Sequence, residues 1–193
     1  MFDIPCIIFS GGKSSRMGQN KALLPFGGYE SLLEFQYKRL QNYFSEVYIS
    51  TKKDHPFNFD APFLLDTQAD FAPTAGFVSA FESLKSERII VLSVDTPFID
   101  KDIFTTLLQM DSPDQDATIA KTSSGTHPMC GIYHRSLHEK FVIMLATSNH
   151  RLGKLLSDSK TLFVPFENEL KFMNLNHPHE YQEALTHFSE QEK

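Results

Sequence analysis

The sequence has no tryptophan and only two cysteines among its 193 residues, whereas phenylalanine occurs 18 times. Cys6 and Cys130 lie far apart and fit no metal-ligand spacing, and Cys6 falls in an apolar run that predicts a plain buried thiol. Hydrophobic residues make up 41% of the chain, and we interpret the phenylalanines as core because aromatic side chains dominate protein interiors. Because domains average about 150 residues, the length predicts a single domain with one sizeable core.

An excess of basic residues is also lacking. The formal net charge is −6, which argues against nucleic-acid or membrane partners, since both require a basic face. A few local cations would still suffice for a small anionic ligand. A helix needs about 18 apolar residues to span a bilayer, and no apolar run in this sequence is that long. The first five residues carry no basic segment before an apolar one, so we expect no signal peptide and a cytoplasmic location.

Short apolar runs alternate with helical patterns along the chain. Strands are predicted at 4–9, 47–50, 63–65, 88–94, 116–121, 129–134 and 161–166. Helices are predicted at 31–44, 76–84, 137–146 and 178–188. Ser31 is the expected N-cap of the first helix and Glu34 its capping-box partner. Strands that alternate with helices imply crossover units, so we predict an α/β fold: one domain with a Rossmann-like, mostly parallel sheet flanked by helices.

The most distinctive stretch follows the first predicted strand and reads SGGKSSRMGQNK from Ser10 to Lys21. Gly11 and Gly12 permit backbone conformations in which successive N–H groups converge on an anion. Three side chains add positive charge: Lys13, Arg16 and Lys21. In open α/β sheets, ligands bind beyond the carboxyl ends of the strands, where this loop is expected. The stretch therefore predicts a phosphate-binding loop.

Two familiar phosphate-binding loops do not match this stretch. A Walker A loop needs glycine five residues before its Gly-Lys pair, where this chain has Ile7. The dinucleotide-binding fingerprint begins Gly-x-Gly, and Lys13 stands at the place of its second glycine. On composition alone, a solvated basic surface loop stays an open alternative, because glycine and lysine are common in loops.

Acidic and polar residues follow several of the predicted strands. Asp95 comes after an aliphatic strand, where a carboxylate can hold Mg²⁺ together with phosphate oxygens and waters. Asp66 ends the third strand, where its carboxylate could accept hydrogen bonds from a ligand. Either residue could instead be an ordinary turn residue. Ser50 ends the second strand.

Polar residues in the second half of the chain could orient a second substrate or complete the metal site. Asn174 and Asn176 are two residues apart, so in an extended segment their amides would share a face. His127 precedes Pro128, where a turn residue is the ordinary interpretation. Pro178 could simply be the first residue of the last helix.

The order of these elements resembles the MobA-like nucleotidyltransferases, and within them most closely the molybdenum cofactor guanylyltransferases. The family loop typically reads Leu-Ala-Gly-Gly-x-Ser-x-Arg-Met-Gly-x-Asp-Lys-Ala-Leu-Leu. The resemblance extends from Ile7 to about Ala184. Matching positions outside the loop are Asp66, Pro73, Ala75 and Gly76; Asp95 and Pro97; His127, Pro128 and Gly131; and Asn174, Asn176, Pro178 and Glu180. The chain departs from the family pattern at several positions: Phe9-Ser10 for Leu-Ala, Asn20 for Asp, Ala72 for Gly, Thr74 for Leu, His177 for Thr, and His179 for an acid.

The resemblance implies a nucleotidyltransferase (GT-A-like) fold and transfer of GMP from GTP to the phosphate of molybdopterin, with release of pyrophosphate. It implies Mg²⁺ on Asp95, and it makes Arg16, Lys21 and Asp95 the catalytic residues. The nucleotide-binding residues it implies are Phe9, Ser10, Gly11, Gly12, Lys21, Ser50, Asp66 and Asp95. The acceptor-binding residues are His127, Asn174 and Asn176.

The same resemblance divides the domain into a nucleotide-binding half of about residues 1–100 and an acceptor-binding half of about residues 101–188. Transient contact with cofactor-delivery or acceptor enzymes is a further expectation.

Two alternatives to a guanylyltransferase stay open. The first is a cytidylyl- or sugar-phosphate nucleotidyltransferase of the same fold, because all of these enzymes bind triphosphates alike. The second is a non-catalytic nucleotide-binding protein, because fold alone does not prove activity. Glycosyl transfer is disfavoured because Asp95 has no second aspartate at Asp-x-Asp spacing.

Overall fold

Strands and helices alternate through residues 1–10, 20–52, 57–66 and 72–191, the parts of the chain that the computed structural model describes. The described strands are β1 (Cys6–Phe9), β2 (Val47–Lys52), β3 (Phe63–Asp66), β4 (Arg88–Ser93), β5 (Ala117–Thr122), β6 (Gly125–His134) and β7 (Thr161–Pro165). The described α-helices are α1 (Leu32–Leu40), α2 (Pro73–Ser83), α3 (Lys101–Met110), α4 (His138–Ala146), α5 (Leu152–Ser157) and α6 (Pro178–Gln191). Short 3-10 turns lie at Lys21–Leu23, Arg135–Leu137 and Glu169–Phe172. Among these helices, none is both long enough and apolar enough to cross a membrane.

All the strands join one seven-stranded sheet in the order β3-β2-β1-β4-β6-β5-β7. The pairs β1–β2, β1–β4, β2–β3 and β5–β7 are parallel, whereas β6 runs antiparallel to both β4 and β5. The predicted mostly parallel α/β sheet is therefore confirmed, with one reversed strand inside it. Because β1 to β4 are parallel, their carboxyl ends meet at one edge of the sheet.

Helices cover both faces of this sheet. Alternate residues of β1 point to opposite sides, so that Cys6 and Ile8 pack with α1, α3 and α6, whereas Ile7 and Phe9 pack with α2, α4 and α5. Cys6 is fully buried, as expected for a plain core thiol. Burial raises the pKa of this thiol far above its ordinary value, so it stays protonated. Two apolar layers thus enclose the central strands, which explains their unbroken aliphatic sequences.

The first helix begins as predicted and ends earlier than predicted. The Ser31 hydroxyl accepts a hydrogen bond from the Glu34 amide at 3.1 Å, which caps the first turn. The helix ends at Leu40 rather than at residue 44. Phe44 instead forms a parallel bridge with Phe2, and its ring packs at 5.2 Å from the Phe2 ring. Pairing with the amino-terminal segment therefore replaces the last helical turn.

Candidate active site

The carboxyl edge of the central strands gathers the predicted nucleotide-side residues that the structure describes. Ser10 follows β1 and donates from its backbone amide and its hydroxyl to the carbonyl of Ser50, at 3.1 and 2.9 Å. Asp66 is the last residue of β3 and pairs in register with Lys52 of β2. Asp95 lies two residues beyond β4. Parallel strand ends thus bring four sequence-distant positions to one edge.

Lys21, Asp95 and Asn176 meet at this edge. The Lys21 ammonium lies 2.5 Å from Oδ2 of Asp95 and 3.0 Å from Oδ1 of Asn176. The Lys21 and Asp95 side chains are 16% and 13% exposed, so the pair is shielded from water but still open on one side. The structure therefore joins the end of the predicted phosphate loop, the central strand and the late asparagine segment in one constellation.

A tight turn holds Asp95. Ser93 donates its hydroxyl to Oδ1 of Asp95 at 2.5 Å, and Thr96 donates from Oγ1 to the Ser93 carbonyl at 2.9 Å. The backbone amide of Leu175 donates to the Asp95 carbonyl at 2.9 Å. Both carboxylate oxygens therefore have hydrogen-bond donors, Ser93 on Oδ1 and Lys21 on Oδ2.

The segment that carries the two asparagines is fixed from the last helix. Oε2 of Glu180 accepts hydrogen bonds from the backbone amides of Asn176 and His177, at 2.6 and 2.7 Å, so that the start of α6 is capped by a carboxylate. Pro178 is the first residue of that helix. Asn174 turns its amide nitrogen to the carbonyl of Phe172 at 3.2 Å. The two side-chain amides therefore have different partners: Asn176 contacts Lys21, and Asn174 contacts the backbone of Phe172.

A cavity of about 250 Å³ opens beside Asp95. Its walls include Asp95, His127, Phe172 and Asn174. The His127 ring lies 4.5 Å from the Phe172 ring, and its Nε2 is 2.9 Å from Oγ1 of Thr122. Burial lowers the pKa of His127, although the charge of Glu169 acts in the opposite direction, so the imidazole is neutral at pH 7. Two of the three predicted acceptor residues, His127 and Asn174, therefore line a cavity with the predicted metal ligand, whereas Asn176 contacts Lys21 and is not among its lining residues.

A hairpin turn on this side of the site is tied to the neighbouring 3-10 turn. Oε1 of Glu169 accepts hydrogen bonds from the Ser123 hydroxyl at 2.5 Å and from the Ser124 amide at 3.0 Å. These bonds lower the pKa of Glu169 to about 2, so the carboxylate is ionised throughout the neutral range. Glu169 thereby holds the β5–β6 turn against the segment that carries Phe172.

The side chain of Phe9 is buried and is not available to contact a nucleotide. Its ring is buried and packs 4.9 Å from the ring of Phe77. A Cβ atom on Gly76 would lie 2.6 Å from Cε1 of Phe9 and 2.5 Å from Oγ of Ser50, so the first turn of α2 approaches β1 and β2 closely because residue 76 is glycine. Any contact between Phe9 and a nucleotide would therefore involve its backbone.

Asp66 lies near a cation. Its Oδ2 is 4.0 Å from Nζ of Lys52, and the Asp66 side chain is 7% exposed. This ion pair lies at the same edge as Ser50. Lys52 was not predicted as a site residue.

Gly11, Gly12 and Arg16 lie outside the described residues. The described chain resumes at Asn20, whose side-chain oxygen accepts from the Ala22 amide at 3.1 Å and caps the turn Lys21–Leu23. The asparagine that departs from the family pattern therefore still performs an aspartate-like capping role.

Sequence reasoning missed Ser93 and Gln36, which both act on the Asp95 turn. The amide of Gln36 donates to the carbonyls of Val94 and Thr96, at 3.2 and 3.0 Å. A signal was present in the sequence, because Gln36 is a polar residue within the apolar face of α1 and Ser93 is a polar residue at the end of an aliphatic strand.

The protein is a nucleotidyltransferase by class. Its open α/β sheet carries a lysine and a carboxylate that pair beyond the central strands. The chain belongs to the MobA-like NTP transferase domain family, whose model matches residues 6–162.

A relative supports this membership, and solved structures share the fold. A Helicobacter pylori (strain ATCC 700392 / 26695) protein named molybdenum cofactor guanylyltransferase is 35% identical over 189 residues, which cover 95% of this chain and 92% of the relative. The crystal structure of molybdopterin-guanine dinucleotide biosynthesis protein A from Archaeoglobus fulgidus superposes with a TM-score of 0.83 at 18% identity, over 97% of this chain and 100% of the other. The 2-C-methyl-D-erythritol 4-phosphate cytidylyltransferase of Thermus thermophilus superposes with a TM-score of 0.69 at 14% identity, over 97% and 100%. The fold is therefore shared by proteins with different names.

Proposed function

We propose that this protein transfers GMP from GTP to the phosphate of molybdopterin and releases pyrophosphate, forming a guanine dinucleotide cofactor in the cytoplasm. The contact of Lys21 with Asp95 and Asn176 carries the proposal, because it places a cation from the loop, a strand-end carboxylate and an acceptor-side amide within 3.0 Å of one ammonium group. The name of the Helicobacter relative, at 35% identity over most of both chains, supports the choice of substrates.

Charge placement is the chemistry that this site offers. The acceptor phosphate is already ionised at neutral pH, so the reaction needs no strong general base. It needs the two reacting groups held in line and the departing pyrophosphate neutralised. Lys21 would turn from Asp95 toward the departing phosphates. The other residues predicted for the phosphate loop, Arg16, Gly11 and Gly12, would bind the same phosphates. Asp66, Ser10 and Ser50 would bind the nucleoside at the same edge.

The residues at this edge fit a magnesium ion. Mg²⁺ in such sites usually keeps several waters and binds one or two carboxylates together with substrate phosphates. Asp95 supplies one carboxylate, and among the described residues no cluster of three or more His, Cys, Asp or Glu side chains could form a cage of protein ligands. When bound, Mg²⁺ would supply positive charge at the reacting phosphate. Asp95 would hold it, and Ser93 orients that carboxylate.

The cavity beside Asp95 is the proposed entrance for the acceptor. Its neutral His127 presents a flat ring that is backed by the buried ring of Phe172, and the amide of Asn174 adds a polar wall. A planar pterin with polar edges suits such a lining, because ligand sites combine apolar surface with a few placed polar groups.

A panel of four nucleoside triphosphates tests this function. Each triphosphate is incubated with Mg²⁺ and the purified protein, with and without molybdopterin, and pyrophosphate release is measured. We expect release with GTP only when molybdopterin is present. Release with CTP or UTP instead would show a related nucleotidyltransferase, for which the Thermus thermophilus cytidylyltransferase provides a precedent of the same fold. Nucleotide binding without any release would show a non-catalytic protein.

A further inference from the structure

Gln36 of α1 is a buried polar side chain next to the proposed metal ligand. It is 0% exposed. Its Nε2 donates to the carbonyl of Val94 at 3.2 Å and to the carbonyl of Thr96 at 3.0 Å, so both hydrogens of the amide are used. These two carbonyls belong to the residues on either side of Asp95. A single amide therefore holds the backbone on both sides of the aspartate.

Arg39 fixes the orientation of that amide. One guanidinium nitrogen of Arg39 lies 2.5 Å from Oε1 of Gln36, and the other donates to the carbonyl of Ile99. An arginine cannot accept a hydrogen bond and a backbone carbonyl cannot donate one, so only one orientation of the Gln36 amide satisfies all of its partners. Burial lowers the pKa of Arg39 to about 10, which leaves the guanidinium charged at neutral pH.

Gln36 and Arg39 together hold three backbone carbonyls of the segment that runs from β4 to α3. The carboxylate of Asp95 is attached to the backbone that Gln36 grips, and its other supports are the side chain of Ser93 and the ammonium of Lys21. The ammonium must leave if it is to hold phosphates, whereas the grip of Gln36 is independent of the nucleotide. Groups that orient a metal ligand typically change metal affinity or activity by about 10- to 100-fold when they are removed.

We propose that Gln36 is a positioning residue for the reaction: it fixes the direction of the Asp95 carboxylate toward the nucleotide-bound cation by clamping the carbonyls of Val94 and Thr96. This inference rests on the proposed function and adds a structural role for α1, a helix that the site does not otherwise use. Gln36 is not placed at the reacting atoms, and we expect its effect to pass through Asp95.

The test compares Gln36→Met with a matched control at the end of the same helix, Gln41→Met. Gln41 is exposed, and its amide donates to the hydroxyl of Tyr37 at 3.0 Å, away from Asp95. We expect Gln36→Met to raise the Mg²⁺ concentration for half-maximal pyrophosphate release by about 10- to 100-fold. The KM for GTP at saturating Mg²⁺ should stay near that of the wild type, and Gln41→Met should match the wild type in both measurements.

A binding measurement separates positioning from loss of folding. Mn²⁺ is titrated into each protein in the presence of GTP and followed by electron paramagnetic resonance, and folding is checked by circular dichroism. We expect weaker Mn²⁺ binding by folded Gln36→Met. If this variant does not fold, Gln36→Glu replaces it, because a glutamate keeps the volume and the contact with Arg39 but loses at least one of the two donors.

A double variant tests whether the effect passes through Asp95. Adding Gln36→Met to Asp95→Asn should weaken Mn²⁺ binding no further than Asp95→Asn alone, since coupled residues are not additive. An unchanged metal dependence in folded Gln36→Met, or full additivity in the double variant, would overturn the role of Gln36. Failure of the proposed function is distinguishable, because the wild type and Gln41→Met would then release no pyrophosphate from GTP and molybdopterin.

Discussion

Replacing Lys21 by methionine removes one positive charge while it keeps much of the length of the side chain. Lys21 lies 2.5 Å from Asp95 and 3.0 Å from Asn176, so the change deletes the cation at the centre of the proposed site. Loss of one preorganised charge contact in a transition state typically lowers turnover by about 100- to 1000-fold, equivalent to about 2.7–4 kcal/mol. We expect a loss of that size in the rate of pyrophosphate release.

The same substitution should have a smaller effect on folding. Asp95 keeps the hydroxyl of Ser93 at 2.5 Å, so its carboxylate is not left without a donor. The pair is 16% and 13% exposed, and removing one partner of such a contact costs about 1–3 kcal/mol. Domains are typically stable by about 5–15 kcal/mol, so the Lys21→Met protein should stay folded at assay temperature.

The assay measures pyrophosphate release at saturating GTP, molybdopterin and Mg²⁺, with urea unfolding in parallel. Lys154→Met is the matched control, because Lys154 also pairs with an aspartate, Asp158 at 2.7 Å, but both of these side chains are exposed. If Lys21 acts on the departing phosphates, kcat and kcat/KM should fall together. A folded Lys21→Met protein with the turnover of Lys154→Met would refute the mechanism.

Three further substitutions test other parts of the structure. Asp95→Asn should lower turnover by about 100- to 1000-fold, because it removes the charge of the proposed metal ligand; pyrophosphate release near the wild-type rate would contradict that role. Gly76→Ala would place a Cβ atom 2.6 Å from the buried ring of Phe9, and such overpacking costs about 1–3 kcal/mol; an unchanged urea midpoint would show that the contact relaxes. Asp111→Asn tests an ion-pair cluster at the amino end of β4. Burial alone would raise the pKa of Asp111, but hydrogen bonds from His134, Thr118 and Arg88 outweigh burial and lower the pKa below 3.8. A carboxyl with a lowered pKa stabilises the fold above its unfolded pKa, and this stabilisation is lost as the pH falls through the folded value. The difference in free energy of unfolding between wild type and Asp111→Asn, measured by urea unfolding, should therefore be full at neutral pH and shrink below about pH 4. A difference that stays constant with pH would contradict the stabilising role of the Asp111 carboxylate.

Much of the fold could be predicted because its signals are local. The aliphatic run before Asp95 and the Ser31 cap of α1 are each determined by neighbouring residues, and the structure has both. Other features of the fold were not predicted: the early end of α1 depends on a distant part of the chain, whereas α3 and α5 were missed although they are local elements. Helix α1 ends early because Phe44 pairs with Phe2, and helix α3 (Lys101–Met110) received no prediction although Asp100 caps it at 3.2 Å.

The site shows the same division. The residue types of Lys21, Asp95 and Asn176 suggested functional roles, but their contacts join positions that are 74 and 155 residues apart in sequence, which no local pattern reports. The partner of Gln36 could not be predicted either, because a polar residue on an apolar helix face indicates that a buried partner exists without indicating which one. The pairing of Lys52 with Asp66 depends on strand register, which only the assembled sheet defines.

The reversed strand β6 has a consequence for how such a site can diversify. Because β6 runs against β4, its beginning, and not its end, reaches the edge where β1 to β4 finish. His127 therefore reaches the site from the start of β6, just after the two-residue connection of Ser123 and Ser124. If His127 contacts the acceptor as proposed, changes in the β5–β6 connection would alter the acceptor side, while β1 to β4 would keep the proposed nucleotide side in place.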